Sequence, residues 1–133
     1  MQALQPFTAL AARFLLALIF LIEGAFKIPS YDLVVSYMEG FGVPGALLPL
    51  VIATEFGGGL LIVAGLFTRF AAFALAGFCL LTAFFFHLDL SDTNEFIHLL
   101  KNLAMAGGFL ALVAFGPGPL SLDARFGKPA SGP

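Results

Sequence analysis

The sequence predicts an all-α integral membrane protein, a four-helix bundle with a short interfacial helix between spans one and two. Its 133 residues are 60% hydrophobic and 11% charged, whereas a soluble domain carries about a quarter charged residues. A mean hydropathy of +1.03 is more apolar surface than a small globule can bury, so lipid must cover it. The apolar residues fall into four blocks, each close to the ~20 residues a helix needs to cross ~30 Å of hydrocarbon. The blocks are continuously apolar. Helices, whose backbone groups pair internally, fit that pattern, and alternating barrel strands do not.

Span one is predicted from Phe7 to Lys27. No Lys or Arg precedes it and no small-residue cleavage site follows, so it is expected to stay uncleaved. Arg13 lies about two turns into it and must snorkel or find a partner. In SYDLVVSYMEGFGVPG, Tyr31, Val34, Val35 and Met38 recur at helical spacing against Asp32, Ser36 and Glu39, the pattern of a helix lying on the membrane surface. Span two runs from Pro44 to Leu66. The tight turn GLFTR makes it the antiparallel neighbour of span three, Arg69 to His87. The acidic loop LDLSDTNE leads into span four, Phe96 to Phe115. Residues 1–119 therefore form one four-span domain, and the Gly/Pro-rich 120–133 segment a flexible cytoplasmic tail. Small residues at Ala53/Gly57, Ala72/Ala76 and Ala104/Gly108 have helix-packing spacing, and the run Gly57 to Gly59 marks either close helix contact or room for a ligand.

Charge sets the direction. Arg13, Arg69, Arg125 and Lys128 belong to one side, while Asp32, Glu39, Asp89, Asp92 and Glu95 gather on the other. The positive-inside rule then places both termini in the cytoplasm of a bacterial inner membrane. With a net charge of −2 and no basic patch, a nucleic-acid partner is excluded. The expected partners are the bilayer and a soluble or membrane redox protein. A homo-oligomer is an open alternative.

This topology brings Glu23, Lys27, Glu55, His87, His98, Lys101 and Asn102 into the outer half of the bundle, with a contribution from every span. Each has a plain alternative: lysines snorkel, a histidine ends a helix at headgroup level, an asparagine bonds between helices. Glu55 is hardest to explain that way. An isolated carboxylate at that depth costs at least ~3 kcal/mol, so it must be protonated, wet, or paired with Lys27 or Lys101. A polar cavity shared by these side chains is the expectation. His87, His98, Asp89, Asp92 and Glu95 match no metal-ligand spacing, so no metal is predicted. No phosphate loop, flavin fingerprint or nucleophile elbow is present, and the lone Cys79 reads as an inert buried thiol. Acid–base chemistry remains: Glu55 as the proton-handling residue, Lys27 and Lys101 as its electrostatic partners, and His87, Asn102 and Glu23 as further ligand contacts. A quinone, a flat ring whose reduction couples protons to electrons, suits such a site among 17 Phe.

The segments EGAFKI, EFGGGLLIVAGLFTRFAAFAL, FFFH, KNLAMAGG and GPGPLSLD, in this order and spacing, resemble the DoxX family of small four-helix membrane proteins. The resemblance spans nearly the whole chain. It implies an inner-membrane bundle. DoxD-type members are similar to the membrane subunit of thiosulfate:quinone oxidoreductase, while other members are linked to membrane oxidoreductase complexes. Lys27, Glu55, His87, Lys101 and Asn102 match the family's polar positions. Glu23 departs from them, since many members carry a small residue there. The function expected is the quinone-facing membrane subunit of an oxidoreductase complex. The alternatives are a non-enzymatic anchor or assembly subunit, in which the charges form a structural network, and a small-molecule transporter, for which no inverted repeat is apparent.

Overall fold

The computed structural model describes residues 2–127; Lys128 and the rest of the predicted tail lie outside them. Four helices are long and apolar enough to cross a membrane: α1 (Gln5–Lys27), α3 (Gly45–Ala64), α4 (Thr68–Phe86) and α5 (Thr93–Phe115). They agree with the predicted spans to within a few residues at each end. A shorter helix, α2 (Tyr31–Gly40), bridges α1 and α3, and α6 (Leu122–Phe126) follows α5. Among the described residues there is no strand.

The local signals that end each helix are visible in the sequence. Pro6 opens α1 at its first turn, where a missing N–H costs nothing. Gly65 closes α3 in the left-handed conformation, φ +66°. The Gly65 N–H donates to Ile62 O and the Leu66 N–H to Leu61 O, the paired bonds of a Schellman cap. Asp92 caps α5, its carboxylate accepting from the Asn94 and Glu95 N–H groups at 2.7 and 3.2 Å.

α3 is not uniform. It begins as a 3-10 turn at Gly45–Leu47, continues as α-helix over Leu48–Ile52, and widens into a π-helical turn at Ala53–Gly57 before resuming at Gly58–Ala64. A π turn inserts a residue into the helix and re-aims the side chains around it. Glu55 is at its centre. Opposite it, Gly24 of α1 lies so close that a Cβ there would be 2.8 Å from Phe56 N; only glycine permits this approach.

The core lies between the spans in the half holding Arg13. Ala17, Phe20, Ile62, Leu75, Cys79 and Phe109 are its centre, with the Phe20 and Phe109 rings edge to face at 5.3 Å. Of the small-residue pairs, Ala72 and Ala76 are buried and Gly108 packs on Leu16. Gly57 has nothing within 4 Å of a Cβ position. Gly58 packs on Leu75 and Gly59 on Leu21, so the glycine run serves helix contact more than ligand space.

At the Arg13 end the bundle is closed by a clasp. Arg13 is 0% exposed and donates to the carbonyls of Leu120 and Ile62. The Asp123 carboxylate accepts the Phe67 and Thr68 N–H groups, each at 2.8 Å, and its own N–H donates to Gly65 O at 2.8 Å. Phe67, at φ +46°, is held in a conformation that side chains rarely adopt. The described part of the predicted tail is therefore docked rather than loose. Backbone groups left unpaired by the turn at Gly65 to Thr68 draw Asp123 onto it.

Candidate functional site

A cavity of about 810 Å³ occupies the opposite, Glu55-bearing half. All seven side chains singled out from the sequence line it: Glu23 and Lys27 from α1, Glu55 from α3, His87 at the end of α4, and His98, Lys101 and Asn102 from α5. Glu55 is 5% exposed. The Lys27 Nζ lies 2.9 Å from its Oε2 and 3.2 Å from its Oε1. The ammonium thus holds both carboxylate oxygens, and Oε2 itself is buried. Lys27 also reaches Glu23, one turn earlier, at 3.4 Å. Gly24 and the π turn together create this pair: one lets α1 approach, the other turns Glu55 toward it.

Lys101 departs from its expected role. It lines the cavity but makes no ion pair among the described residues, so Glu55 is paired through Lys27. Its exposed side chain, two turns into α5, has water at the cavity mouth as the cheaper alternative to burial. Asn102 turns inward, its Oδ1 3.4 Å from Thr82 Oγ1 on α4. His87 Nδ1 lies 2.6 Å from Glu95 Oε2, and the His98 ring stacks on His87 at 5.0 Å. No group of three His, Cys, Asp or Glu side chains among the described residues is arranged to hold a metal.

Glu95 and Tyr37 line the cavity as well, though neither was among the predicted site residues. Glu95 sits three residues after the capping Asp92, where a side chain ordinarily turns back to the cap's own N–H. It turns to His87 instead, and only the fold of the LDLSDTNE loop brings the two together. Tyr37 belongs to α2, whose apolar face does more than rest on lipid. Val34, Tyr37 and Met38 roof the cavity, and Val35 packs on Gly45. Tyr37 stacks on Phe86 at 5.6 Å, and Phe41 meets both rings at 5.0 and 5.2 Å. Burial, with the charge of Glu95 nearby, pushes the Tyr37 phenol above its ordinary value, so it remains a hydrogen-bond donor.

The cavity floor is the apolar core, with Phe20 and Phe78 facing upward into it. The site is thus a mostly apolar chamber with one buried ion pair at its wall and a second polar cluster, His87, Glu95 and His98, at its mouth. A pocket of this size with few convergent polar groups is the usual form of a small-molecule site.

Comparison with known proteins agrees with this architecture. The DoxX family model matches residues 8–88, the part carrying Glu23, Lys27, Glu55 and His87. Inner membrane protein YqjF of Escherichia coli (strain K12) is 45% identical over 128 residues, which cover 96% of this chain and 98% of that protein. Inner membrane protein YphA of the same organism is 38% identical over 130 residues, covering 92% and 93%. No solved structure matches. With four candidate spans and these relatives, the chain belongs to the DoxX family and is an inner-membrane protein.

Proposed function

We propose that the cavity binds a quinone and that the protein is the quinone-facing membrane subunit of an oxidoreductase complex, with Glu55 as its proton-handling residue. The observation that carries this reading is the Glu55–Lys27 pair: a carboxylate 5% exposed, held by the ammonium at 2.9 Å, at the wall of a mostly apolar chamber. A quinone supplies a two-electron, two-proton acceptor with two ring oxygens that need hydrogen-bond donors. A protonated Glu55 can donate, the Asn102 amide can donate from Nδ2, and the aromatic lining suits a flat ring. Lys27 balances the carboxylate when the proton leaves, and its ammonium keeps Glu55 in one orientation. His87 and Glu95 at the mouth can exchange protons with outside water and restore the one Glu55 gives up. The sequence encodes no redox-centre motif, so electrons are assigned to a soluble or membrane redox partner.

Orientation follows from charge. Arg13, Arg69 and Arg125 mark the cytoplasmic end and the acidic loop the periplasmic end, so both termini are cytoplasmic and the cavity faces the periplasmic half. The clasp around Arg13 closes the cytoplasmic end, which favours a binding site over a transport path. The test is to purify the protein from membranes in mild detergent and quantify quinone in its organic extract. Wild type is expected to carry it near stoichiometrically, and Glu55→Ala to lose about tenfold or more while still assembling. Quinone absent from wild type, or retained unchanged by Glu55→Ala, refutes the reading. If Glu55→Gln impairs complex assembly but leaves turnover intact, the anchor reading replaces it.

A further inference from the structure

The chamber has an arm that the proton chemistry does not use. It runs along α4 beside Phe73, Gly77, Leu81 and Phe85, four residues apart, so on one helix face. At 1.5 Å per residue that stripe is about 18 Å long. The facing wall is α3, through Leu47, Leu50, Val51 and Thr54. No ionisable side chain lies on either wall. The two hydroxyls along it, Thr54 and Thr82, donate to carbonyls of their own helices, Leu50 O at 2.8 Å and Phe78 O at 3.0 Å, so neither wall demands a polar ligand. The outer-facing residues of the arm, Leu50, Phe73, Leu81 and Phe85, are exposed, which in a bilayer means open to lipid. At Gly77 a Cβ would meet nothing within 4 Å, so the arm has open space there.

We propose that the site takes a ligand of two parts, a polar ring at Glu55 and Lys27 and a single hydrocarbon tail lying in the α3–α4 groove, and that this ligand enters sideways from the bilayer. The proposal rests on the quinone reading and narrows it to long-tailed, membrane-dissolved quinones. Two features select the tail as occupant. The groove is continuous with the chamber that Glu55 and Lys27 line, so a molecule anchored there must send the rest of itself somewhere apolar. The other way out passes beneath α2, among Tyr37, His87, Glu95 and His98, where a hydrocarbon would strip water from polar groups.

The test uses three probes on the purified protein: a benzoquinone with a polyisoprenoid tail, the same ring without it, and a polyprenol with the tail but no quinone ring. Wild type is expected to bind the tailed quinone at least about tenfold more tightly than the bare ring. Gly77→Leu fills the groove and is expected to remove that advantage while leaving bare-ring binding within about twofold. Glu55→Gln is expected to weaken both quinones alike. Ala74→Leu, at an exposed position on the same face, serves as an independent block if Gly77→Leu does not assemble. If Gly77→Leu and Ala74→Leu leave every tailed probe unaffected, the groove is refuted while ring binding still stands. If neither quinone binds wild type but polyprenol binds and is lost in the groove variants, the quinone reading fails and the tail site stands. A two-chain phospholipid co-purifying stoichiometrically and lost in Gly77→Leu would overturn the single-tail occupant.

Discussion

At one end of the bundle Arg13 is wholly enclosed, its guanidinium bonded to the Leu120 and Ile62 carbonyls, with the Asp123 carboxylate close by. At the other end Glu55 is almost as deeply buried, yet it lines a chamber of about 810 Å³. Both ends carry charge where hydrocarbon should be. The Arg13 end surrounds its charge with backbone and leaves no room: a Cβ on Gly65 would strike Arg13 Nη1. The Glu55 end supplies one partner and stops. A buried charge that is fully enclosed reports on folding. One that adjoins open space is the better candidate for chemistry.

That contrast can be broken by mutation, starting where the effect should be largest. Arg13→Ala is expected to cost about 3–5 kcal/mol, because it strands buried carbonyls and uncovers the clasp. Thermal unfolding in detergent should show it as a large loss, and Gly65→Val, which adds a clash at a positive φ, should do the same. The Glu55 end should behave differently. Lys27→Ala leaves a buried carboxylate unpaired, so Lys27→Ala combined with Glu55→Ala should be more stable than Lys27→Ala alone, with a coupling of about 1–3 kcal/mol in a double-mutant cycle. On the proposed quinone reading, Glu55→Gln should lower turnover by about a hundredfold, with little change in stability because its amide oxygen can still accept from Lys27. If it unfolds the protein instead, the two ends are alike and the contrast fails.

Smaller effects sharpen it further. Asp123→Ala removes the acceptor for two N–H groups at the start of α4 and is expected to cost about 1–2 kcal/mol. Burial alone would raise the Asp123 carboxyl. The N–H groups of Thr68 and Phe67 and the Arg13 charge outweigh it and hold the group below its ordinary value of 3.8. A depressed acid stabilises fully above its unfolded value and loses that contribution as pH falls through the folded one. Unfolding temperature should therefore fall in wild type as pH drops below about 3.8, and fall less in Asp123→Asn. Glu23→Ala should matter least. Its side chain is mostly exposed and its contact with Lys27 is a long 3.4 Å, so the change should stay within about 0.5 kcal/mol.

Glu55 and Lys27 were legible as a pair because hydrocarbon admits few ways to carry charge, and two ionisable groups at one depth nearly compel a meeting. On depth alone, Lys101 reads as a second electrostatic partner of Glu55. Its depth matched, but depth does not give azimuth, and the long flexible stem finds water as easily as Glu55. Glu95 was legible only as one of the outer-side acids, and its link to His87 needs the loop between α4 and α5 to fold back. The docking of residues 121–127 was hidden in a Gly/Pro-rich stretch whose composition reads as loose. Its order comes from a distant turn with unpaired N–H groups.

Composition and spacing alone determined that four helices cross a membrane, where they turn, and that their charges share two layers, because the bilayer penalises every exposed polar group and periodicity is local. Tertiary structure decided which charges became enclosed and which were left facing space. That depends on the close approach of Gly24 to α3, the π turn at Glu55 and the placing of α2 as a roof. All three are contacts between segments far apart in the chain, where no local pattern reaches.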